Sequence, residues 1–351
     1  MSSDSLAVVG TYTDKGSEGI YTVGVDTSGA VERRSVADAG RNPSFLAISP
    51  DGGTCYAVNE IEDGAVTALS VDQDTGALAR LNQVTTGGGA DPCHCSIDAT
   101  GQYLLVAHYT GGAVAMVPIA DDAVGDPTAV VEHSGSGPNE ERQASAHPHS
   151  IQPGPDNEFA YVPDLGADRV VGYELDLERG TLLPAEDATV ALPDGAGPRH
   201  MAFGPDGEYA YLINELDSTV AVLSRDADTG GLSVVGTAPT LPAEYDGENI
   251  TADIHVHPSG EWVFGSNRGH DSIAIFAVED HAGHIEFRGT ESTRGEWPRN
   301  FALTPDGEAL IAENMHSDEI VTFERDATTG ELSPTGHVTD VPSPSCLQFL
   351  Q

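Results

Sequence analysis

Arginine is the side chain whose placement in this sequence points most clearly to chemistry. Arg199 and Arg299 each follow the proline of a recurring phrase, and Arg268 occupies a later position in a third copy of it. A guanidinium group is a planar fork of donors that suits phosphate or carboxylate. Because the chain has only 15 basic residues against 56 acidic ones, a convergence of these arginines predicts a site for an anion. Simple pairing with neighbouring acidic side chains is the alternative.

Two further residues could handle a proton at such a site. His149 is of the residue type that titrates near neutral pH, and the predicted hairpin places Glu215 beside Arg199. Either side chain could take the proton of an attacking water, and the sequence leaves this choice open. Glu215 could equally be a salt-bridge partner of Arg199 with a lowered pKa, and His149 a structural histidine.

Two short segments contain possible metal ligands. Cys93-His94-Cys95 and His255-Val256-His257 place possible ligands at alternate positions, on one side of a strand. Neither segment has a matching third and fourth ligand, and no Gly-x-Ser-x-Gly nucleophile motif is present. We therefore predict no metal and no cofactor.

The elements that must position these residues follow from the recurring phrase, which returns roughly every 50 residues, as in repeat folds. Its clearest copies begin at Pro43, Pro198 and Pro298 and end in Pro-Asp-Gly, and weaker copies begin near Pro92, Pro148 and Thr251. Pro-Asp-Gly, and the Thr-Gly that commonly ends a unit, are turn residues between runs of strand-forming residues. Each unit is therefore predicted to be a four-stranded antiparallel meander.

The predicted fold class is all-β: residues 1–351 form one seven-bladed β-propeller domain. Six blades are expected to start near residues 43, 92, 148, 198, 251 and 298. The last phrase, residues 344–351, supplies one strand, and residues 6–36 supply the rest of a composite blade. Strands from both ends of the chain in one sheet would close the ring and remove exposed edges.

The hairpin around each Pro-Asp-Gly turn places the candidate residues. The start of the first strand lies opposite the end of the second, so these positions gather at one rim of the channel. That rim is predicted to carry His149, His94, His108, Glu60, Glu215, Arg199, Arg268 and Arg299. Two longer connections, Gly125–Ala146 and Thr237–Asp253, emerge on the same face and could form the walls of a pocket.

Charge indicates the environment of the protein. The formal net charge is -41, and Lys15 is the only lysine, which favours a high-salt cytoplasm where salt screens repulsion. Such a surface excludes nucleic acid and anionic membranes as partners. We see no secretory leader and no apolar run of the ~20 residues that span a membrane. The four sparse cysteines suit a reducing interior, and we expect a monomer or weak homo-oligomer.

Seven stretches together resemble one known family: Gly135-Ser-Gly-Pro-Asn-x-x-Arg-Gln, His147-Pro-His, Pro198-Arg-His, Asn214-Glu-Leu-Asp-Ser-Thr-Val, Asp253-Ile-His-Val-His-Pro-Ser-Gly, Ser266-Asn-Arg-Gly-His-Asp-Ser-Ile and Pro298-Arg-Asn-Phe. Over essentially its whole length the chain is similar to the lactonase family of seven-bladed propellers. That family includes one type of 6-phosphogluconolactonase and the fungal carboxymuconate cyclase. The chain departs from it at Asn314-Met315, where members often have Asn-Gln.

The resemblance implies a metal-independent site whose catalytic residues are His149, Arg199, Glu215 and Arg268. We also predict substrate binding by Arg299, His200, Asn214, Asn267, His94 and Arg142. The implied reaction is hydrolysis of a sugar lactone, 6-phosphoglucono-1,5-lactone to 6-phosphogluconate or a related aldonolactone. Two alternatives stay open: a cycloisomerase acting on a muconate-type lactone, and a binding or scaffold propeller without catalysis.

Overall fold

Seven antiparallel sheets make up the structure, a computed structural model that describes residues 5–279 and 283–350. The innermost strands of neighbouring sheets contact one another, and the last sheet also contacts the first, which closes the ring. The predicted all-β, seven-bladed propeller is therefore confirmed. None of the described helical segments is long and apolar enough to span a membrane.

The strands are numbered along the chain, and blades 1 to 6 follow one another in sequence. Blade 1 contains β4 Pro43–Ile48, β5 Thr54–Asn59, β6 Ala65–Val71 and β7 Leu78–Thr85. Blade 2 contains β8 Pro92–Ile97, β9 Tyr103–His108, β10 Ala113–Ala120, β11 Ala123–Val124 and β12 Ala129–Glu132. Blade 3 contains β13 Gln152–Pro153, β14 Phe159–Asp164, β15 Arg169–Asp176, β16 Thr181–Pro184 and β17 Val190–Ala191.

The second half of the ring is more regular. Blade 4 contains β18 Pro198–Phe203, β19 Tyr209–Asn214, β20 Thr219–Arg225 and β21 Leu232–Pro239. Blade 5 contains β22 Ile250–Val256, β23 Trp262–Arg268, β24 Ser272–Glu279 and β25 His284–Ser292. Blade 6 contains β26 Pro298–Leu303, β27 Ala309–Asn314, β28 Glu319–Arg325 and β29 Leu332–Asp340. The described helical segments are short 3-10 turns at Thr13–Lys15, Leu165–Ala167 and Glu186–Ala188.

Both ends of the chain share the closing blade. It pairs β30 Pro344–Leu350 with β1 Ser5–Thr11, followed by β2 Ile20–Val25 and β3 Val31–Ala37. The β1–β30 ladder begins with Leu6 opposite Leu350. The predicted composite blade is confirmed, and it removes the open edge that a ring of separate sheets would leave.

Burial explains why the strands of one blade differ in composition. The second strand is packed between neighbouring blades, and β5 and β23 are buried throughout. Their side chains form apolar clusters between blades, as where Phe264 of blade 5 packs with Phe301 and Phe323 of blade 6. The outermost strand faces solvent, so β7 is mostly exposed and alternates in burial only towards its end. The acidic residues can therefore accumulate on the outside of the ring without entering the core.

A β-bulge near the start of the innermost strand controls which side chains reach the channel. The pairing register shifts there in five of blades 1 to 6 and in the closing blade. The residues left without a cross-strand partner are Ser44, Cys93, Arg199, Ala252 with Asp253, Arg299 and Ser345. A bulge bends its strand and re-aims a side chain, and here it does so at the rim of the channel.

The bulge corrects the simple hairpin register. The sequence predicts that Arg299 lies opposite Asn314, but Pro298 is the partner of Asn314 and Arg299 is the extra residue. The same shift makes Pro198 the partner of Asn214, with Arg199 bulged. Periodicity alone assumes an unbroken ladder, so it cannot reveal one inserted residue.

Candidate active site

Glu215 lies at the centre of a cluster of arginines at the rim of the channel. Its Oε2 accepts hydrogen bonds from Arg199 Nε at 3.1 Å and from Arg268 Nη2 at 2.7 Å. Its Oε1 accepts from Arg142 Nη2. Glu215 follows β19 directly, Arg199 is the bulged residue of β18, and Arg268 ends β23. Blades 4 and 5 and one loop therefore all contribute to the cluster.

The arginines determine the charge of Glu215. Burial opposes its ionisation, but Arg268, Arg199 and Arg142 outweigh burial and lower its pKa to about 2. The group is therefore ionised at neutral pH and is a weak proton acceptor. These contacts agree with the salt-bridge interpretation weighed from the sequence.

Arg268 is buried, and one of its guanidinium nitrogens is held by two partners. Besides Glu215, its Nη2 donates to the backbone oxygen of Thr251 at 2.6 Å, and its guanidinium lies 5.4 Å from the centre of the Trp297 ring. Burial lowers the pKa of Arg268 to about 9, against the opposing effect of Glu215. It remains protonated at neutral pH, and contact with Trp297 retains it beside the carboxylate.

Arg299 has more unused donors than the other arginines of the site. Its Nη2 is 3.9 Å from Glu60 Oε2, and its guanidinium lies 5.4 Å from the centre of the Tyr12 ring. The same Glu60 oxygen accepts from Tyr12 Oη at 2.7 Å and from Ser44 Oγ at 2.6 Å. Within the described residues, Arg299 makes no hydrogen bond. Its donors are therefore available to an anionic ligand.

His149 is buried beside these arginines and is uncharged. Burial, followed by the positive charges of Arg199 and of the neighbouring arginines, holds its pKa well below the ordinary value of 6.5. Its Nδ1 lies 3.7 Å from Cys93 Sγ, and its ring meets the Tyr109 ring edge-on at 5.3 Å. Its Nε2 has no hydrogen-bonding partner in residues 5–279 and 283–350. A neutral imidazole with a free nitrogen can accept a proton from water.

Three other predicted binding residues, Asn214, Asn267 and His94, have their contacts outside the arginine cluster. Asn214 donates to Thr219 Oγ1 at 2.9 Å, and Asn267 donates to the Thr240 backbone oxygen at 3.0 Å. The Asn267 amide therefore supports the backbone of the rim, and the Asn214 amide holds the side chain of Thr219. The His94 ring packs against the Phe45 ring, with centroids 4.4 Å apart and the planes tilted by 33°.

His94 and His200 line a separate cavity of 320 Å³, formed farther along the inner strands towards the Pro-Asp-Gly turns. The structure thus brings together Glu215, Arg199, Arg268, Arg142, Arg299 and His149. His200 touches this cluster through Arg199, whereas Asn214, Asn267 and His94 have their contacts outside it. The substrate-binding roles of these four stay predictions.

Several residues of the site were not predicted as such. Tyr12 enters from the closing blade, and Asp253 hydrogen-bonds to His200. A signal for Asp253 exists, because it occupies the position in its copy of the phrase that His200 and Asn300 occupy in theirs. Tyr12 belongs to no copy of the phrase, and we find no signal for it.

The cysteine and histidine pairs considered as metal ligands have other partners. Cys93 Sγ contacts the backbone oxygen of His149 at 3.2 Å, whereas Cys95 Sγ faces the backbone oxygen of Tyr56 at 3.9 Å. His255 bonds to Asp253, and His257 bonds to Ser259. Over residues 5–279 and 283–350, no three His, Cys, Asp or Glu side chains are grouped to hold a metal ion.

Fold and site together define a class: a closed β-propeller with an arginine cluster and a neutral histidine at the mouth of its channel. The family described as "Lactonase, 7-bladed beta-propeller" matches residues 6–349. The chain belongs to this family.

Relatives of known name match the chain over nearly its full length. A 6-phosphogluconolactonase of Bacillus subtilis is 35% identical over 348 residues, which cover 98% of each chain. A 6-phosphogluconolactonase of Formosa agariphila is 33% identical, with 97% of this chain and 98% of that protein covered. The structure of a periplasmic gluconolactonase of Pseudomonas aeruginosa superimposes with a TM-score of 0.93 at 34% identity, covering 99% of both chains.

Proposed function

We propose that the protein hydrolyses a sugar lactone that carries an acidic group, with 6-phosphoglucono-1,5-lactone as the first candidate. One observation carries the proposal: in the described part of the chain, the four guanidinium groups of Arg142, Arg199, Arg268 and Arg299 form ion pairs with just two carboxylates, those of Glu215 and Glu60. In a chain of net charge -41, a cluster of arginines that outnumbers its ion-pair partners favours a ligand of opposite sign. The named lactonases among the relatives support the same reaction.

In the proposed mechanism, His149 acts as the general base. Its free Nε2 takes a proton from water as the water oxygen attacks the lactone carbonyl carbon. Arg199 and Arg268 stabilise the resulting oxyanion, a contribution of ~3 kcal/mol per donor in other enzymes. The ring C–O bond then breaks, His149 returns the proton to the departing oxygen, and the product is an open-chain hydroxy acid. Glu215 stays ionised and holds the arginines in place.

Arg299 is proposed to bind the acidic group of the substrate. Its donors make no hydrogen bond within the described residues, and it borders a cavity of 330 Å³ that Tyr12 and Lys15 also line. The carboxylates of Glu60, Asp14 and Asp91 line this cavity as well and suit the hydroxyl groups of a sugar. Two unpaired guanidinium charges would also suit a dicarboxylate, so a muconate-type cycloisomerase is the second candidate.

We further propose that the protein works in a high-salt cytoplasm as a monomer or weak homo-oligomer. The charge of -41 and the single lysine support high salt. All four cysteines are free and buried, which suits a reducing compartment. One relative is a periplasmic enzyme, so the compartment needs its own test by cell fractionation.

A panel assay tests the function. Protein purified in molar KCl is incubated with glucono-1,5-lactone, its 6-phosphate and a muconolactone, with and without a metal chelator. We expect turnover of a sugar lactone that resists chelation and that falls at least ~100-fold in Arg268→Ala. Arg179→Ala, which removes a side chain that is 79% exposed, is the matched control and should leave the rate unchanged. Turnover of the muconolactone alone would favour the cycloisomerase, and turnover of none would contradict both enzymes.

A further inference from the structure

A chain of buried side chains leads from the bulge of blade 5 to the catalytic cluster. Asp253 Oδ1 is 2.8 Å from His200 Nδ1, and His200 Nε2 is 3.2 Å from Arg199 Nη1. All three residues are at most 5% exposed. The proposed mechanism does not use Asp253 or His200, although both are connected to an arginine that it needs.

The direction of each hydrogen bond in this chain is determined by charge. Asp253 is ionised, because His255 and His200 together outweigh the effect of burial and depress its pKa. An ionised carboxylate can only accept, so the proton of His200 must be on Nδ1. Burial, and then Arg199, lower the pKa of His200 to about 4, which keeps the ring neutral. Its Nε2 therefore has a lone pair that accepts a hydrogen from Arg199.

Asp253 is itself held firmly. Its Oδ2 accepts from His255 Nε2 at 2.8 Å and also from Asn300 Nδ2. Its backbone N–H donates to Ser266 Oγ at 3.0 Å. Blades 4, 5 and 6 thus fix the position of one carboxylate, and through it the tautomer and orientation of His200.

The hydrogens of Arg199 can be assigned one by one. Nε donates to Glu215, and Nη1 donates to the Ala252 backbone oxygen and to His200. Nη2 is the guanidinium nitrogen left without a partner in the described part of the chain. We propose that Asp253 and His200 are positioning residues that hold Nη1 of Arg199, so that Nη2 alone is presented to the reacting carbonyl oxygen.

The role differs from the substrate contact that the sequence analysis predicts for His200. With both ring nitrogens occupied, His200 has no free polar atom for a sugar. It acts through Arg199, in the way that an outer partner fixes the orientation of a ligand-binding group. The kinetic readout rests on the proposed lactone hydrolysis, whereas the orientation of Arg199 can be measured independently.

Three substitutions test the role. His200→Leu removes the acceptor, and we expect kcat to fall ~30-fold with little change in KM, because a misplaced donor is felt mainly in the transition state. Asp253→Asn should have a similar effect. The new amide would donate to Nδ1 of His200, so the ring proton would move to Nε2, where it would face an N–H of Arg199. His200→Gln retains an acceptor near that position and should recover part of the rate.

A double-substitution cycle separates positioning from folding. In an Arg199→Lys background, His200→Leu should lower kcat by less than ~3-fold, because the group it positions is absent. His257→Gln, which removes another buried histidine bonded to Ser259, is the control for stability and should leave kcat unchanged. Full additivity in the cycle, or a wild-type kcat in folded His200→Leu, would overturn the proposal.

A crystal structure of His200→Leu supplies a readout that needs no activity. We expect the guanidinium of Arg199 to rotate so that Nη1 leaves its present position. An unmoved guanidinium would refute the positioning role whatever the substrate is. If the wild-type protein hydrolyses no lactone while the guanidinium does rotate, the proposed function fails and the positioning role stands.

Discussion

Arg142 and Glu215 are 73 residues apart in the chain, yet the guanidinium of the first donates to the carboxylate of the second. The Arg142 side chain is 34% exposed and Glu215 only 2%. A residue of the long connection between blades 2 and 3 thus covers a carboxylate of blade 4 and completes its ring of cations. The connection that the sequence predicts as a pocket wall contributes a functional group to the site.

Arg142→Gln should weaken catalysis without abolishing it. Glu215 would retain Arg199 and Arg268, so we expect kcat/KM to fall ~10-fold, the usual effect of losing one charge-assisted hydrogen bond. The measurement is steady-state hydrolysis of the best lactone of the panel. A loss as large as that of Arg268→Ala would instead indicate direct contact between Arg142 and the substrate.

Glu215→Gln should destabilise the fold as well as the site. Removing the buried carboxylate leaves three arginines without their counter-charge, a change that costs ~3–5 kcal/mol for buried ion pairs. Urea unfolding of both proteins in molar KCl measures the difference.

The stabilising effect of Glu215 should also depend on pH. Because folding lowers its pKa from 4.5 to about 2, its contribution is fully present above pH 4.5 and is lost as the pH falls towards 2. The stability difference between wild type and Glu215→Gln should narrow over that range. A difference that stays constant would show that Glu215 is not held ionised by its arginines.

Because of His149, the activity of the enzyme should persist at pH values below the ordinary pKa of histidine. Since burial and the arginines keep the imidazole neutral, kcat/KM should not fall as the pH passes through 6.5 but only well below it. His149→Gln should lose ~100-fold in kcat and lack this acidic limb. Spontaneous hydrolysis is subtracted at every pH. An acidic limb centred on 6.5 would contradict the environment described for His149.

Arg299→Gln should distinguish phosphorylated from unphosphorylated substrate. If Arg299 binds the acidic group, kcat/KM for the 6-phosphate should fall ~10-fold more than kcat/KM for glucono-1,5-lactone. Arg288→Gln removes a partly exposed arginine of the outermost strand β25 and is the matched control, which should leave both values unchanged. An equal loss on both lactones would place the phosphate elsewhere.

Salt should stabilise this protein strongly. In dilute buffer the excess carboxylates repel one another, whereas in molar salt the Debye length shrinks to about 3 Å. Dialysis from molar KCl into dilute buffer should lower the thermal midpoint by ~10 °C or more. A midpoint that does not change over that range would refute the halophilic interpretation.

The sequence by itself determined the architecture. Turn residues such as Pro-Asp-Gly act over a few positions, so their recurrence gives the number of blades, and the incomplete first and last units predict the shared closing blade. The hairpin turns also predict one rim for Arg199, Arg268, Arg299, Glu215 and His149, because the positions of these residues relative to the turns are local properties.

Only the tertiary structure decided how these groups are paired. One bulge in each of several blades shifts Arg199 and Arg299 out of the ladder, and an inserted residue leaves no periodic trace. The pairing of Arg142 with Glu215, and of His200 with Asp253, depends on distances between elements that meet only when the ring closes. The pKa values of Glu215 and His149 depend on burial and on charges from other blades, which no local sequence pattern contains.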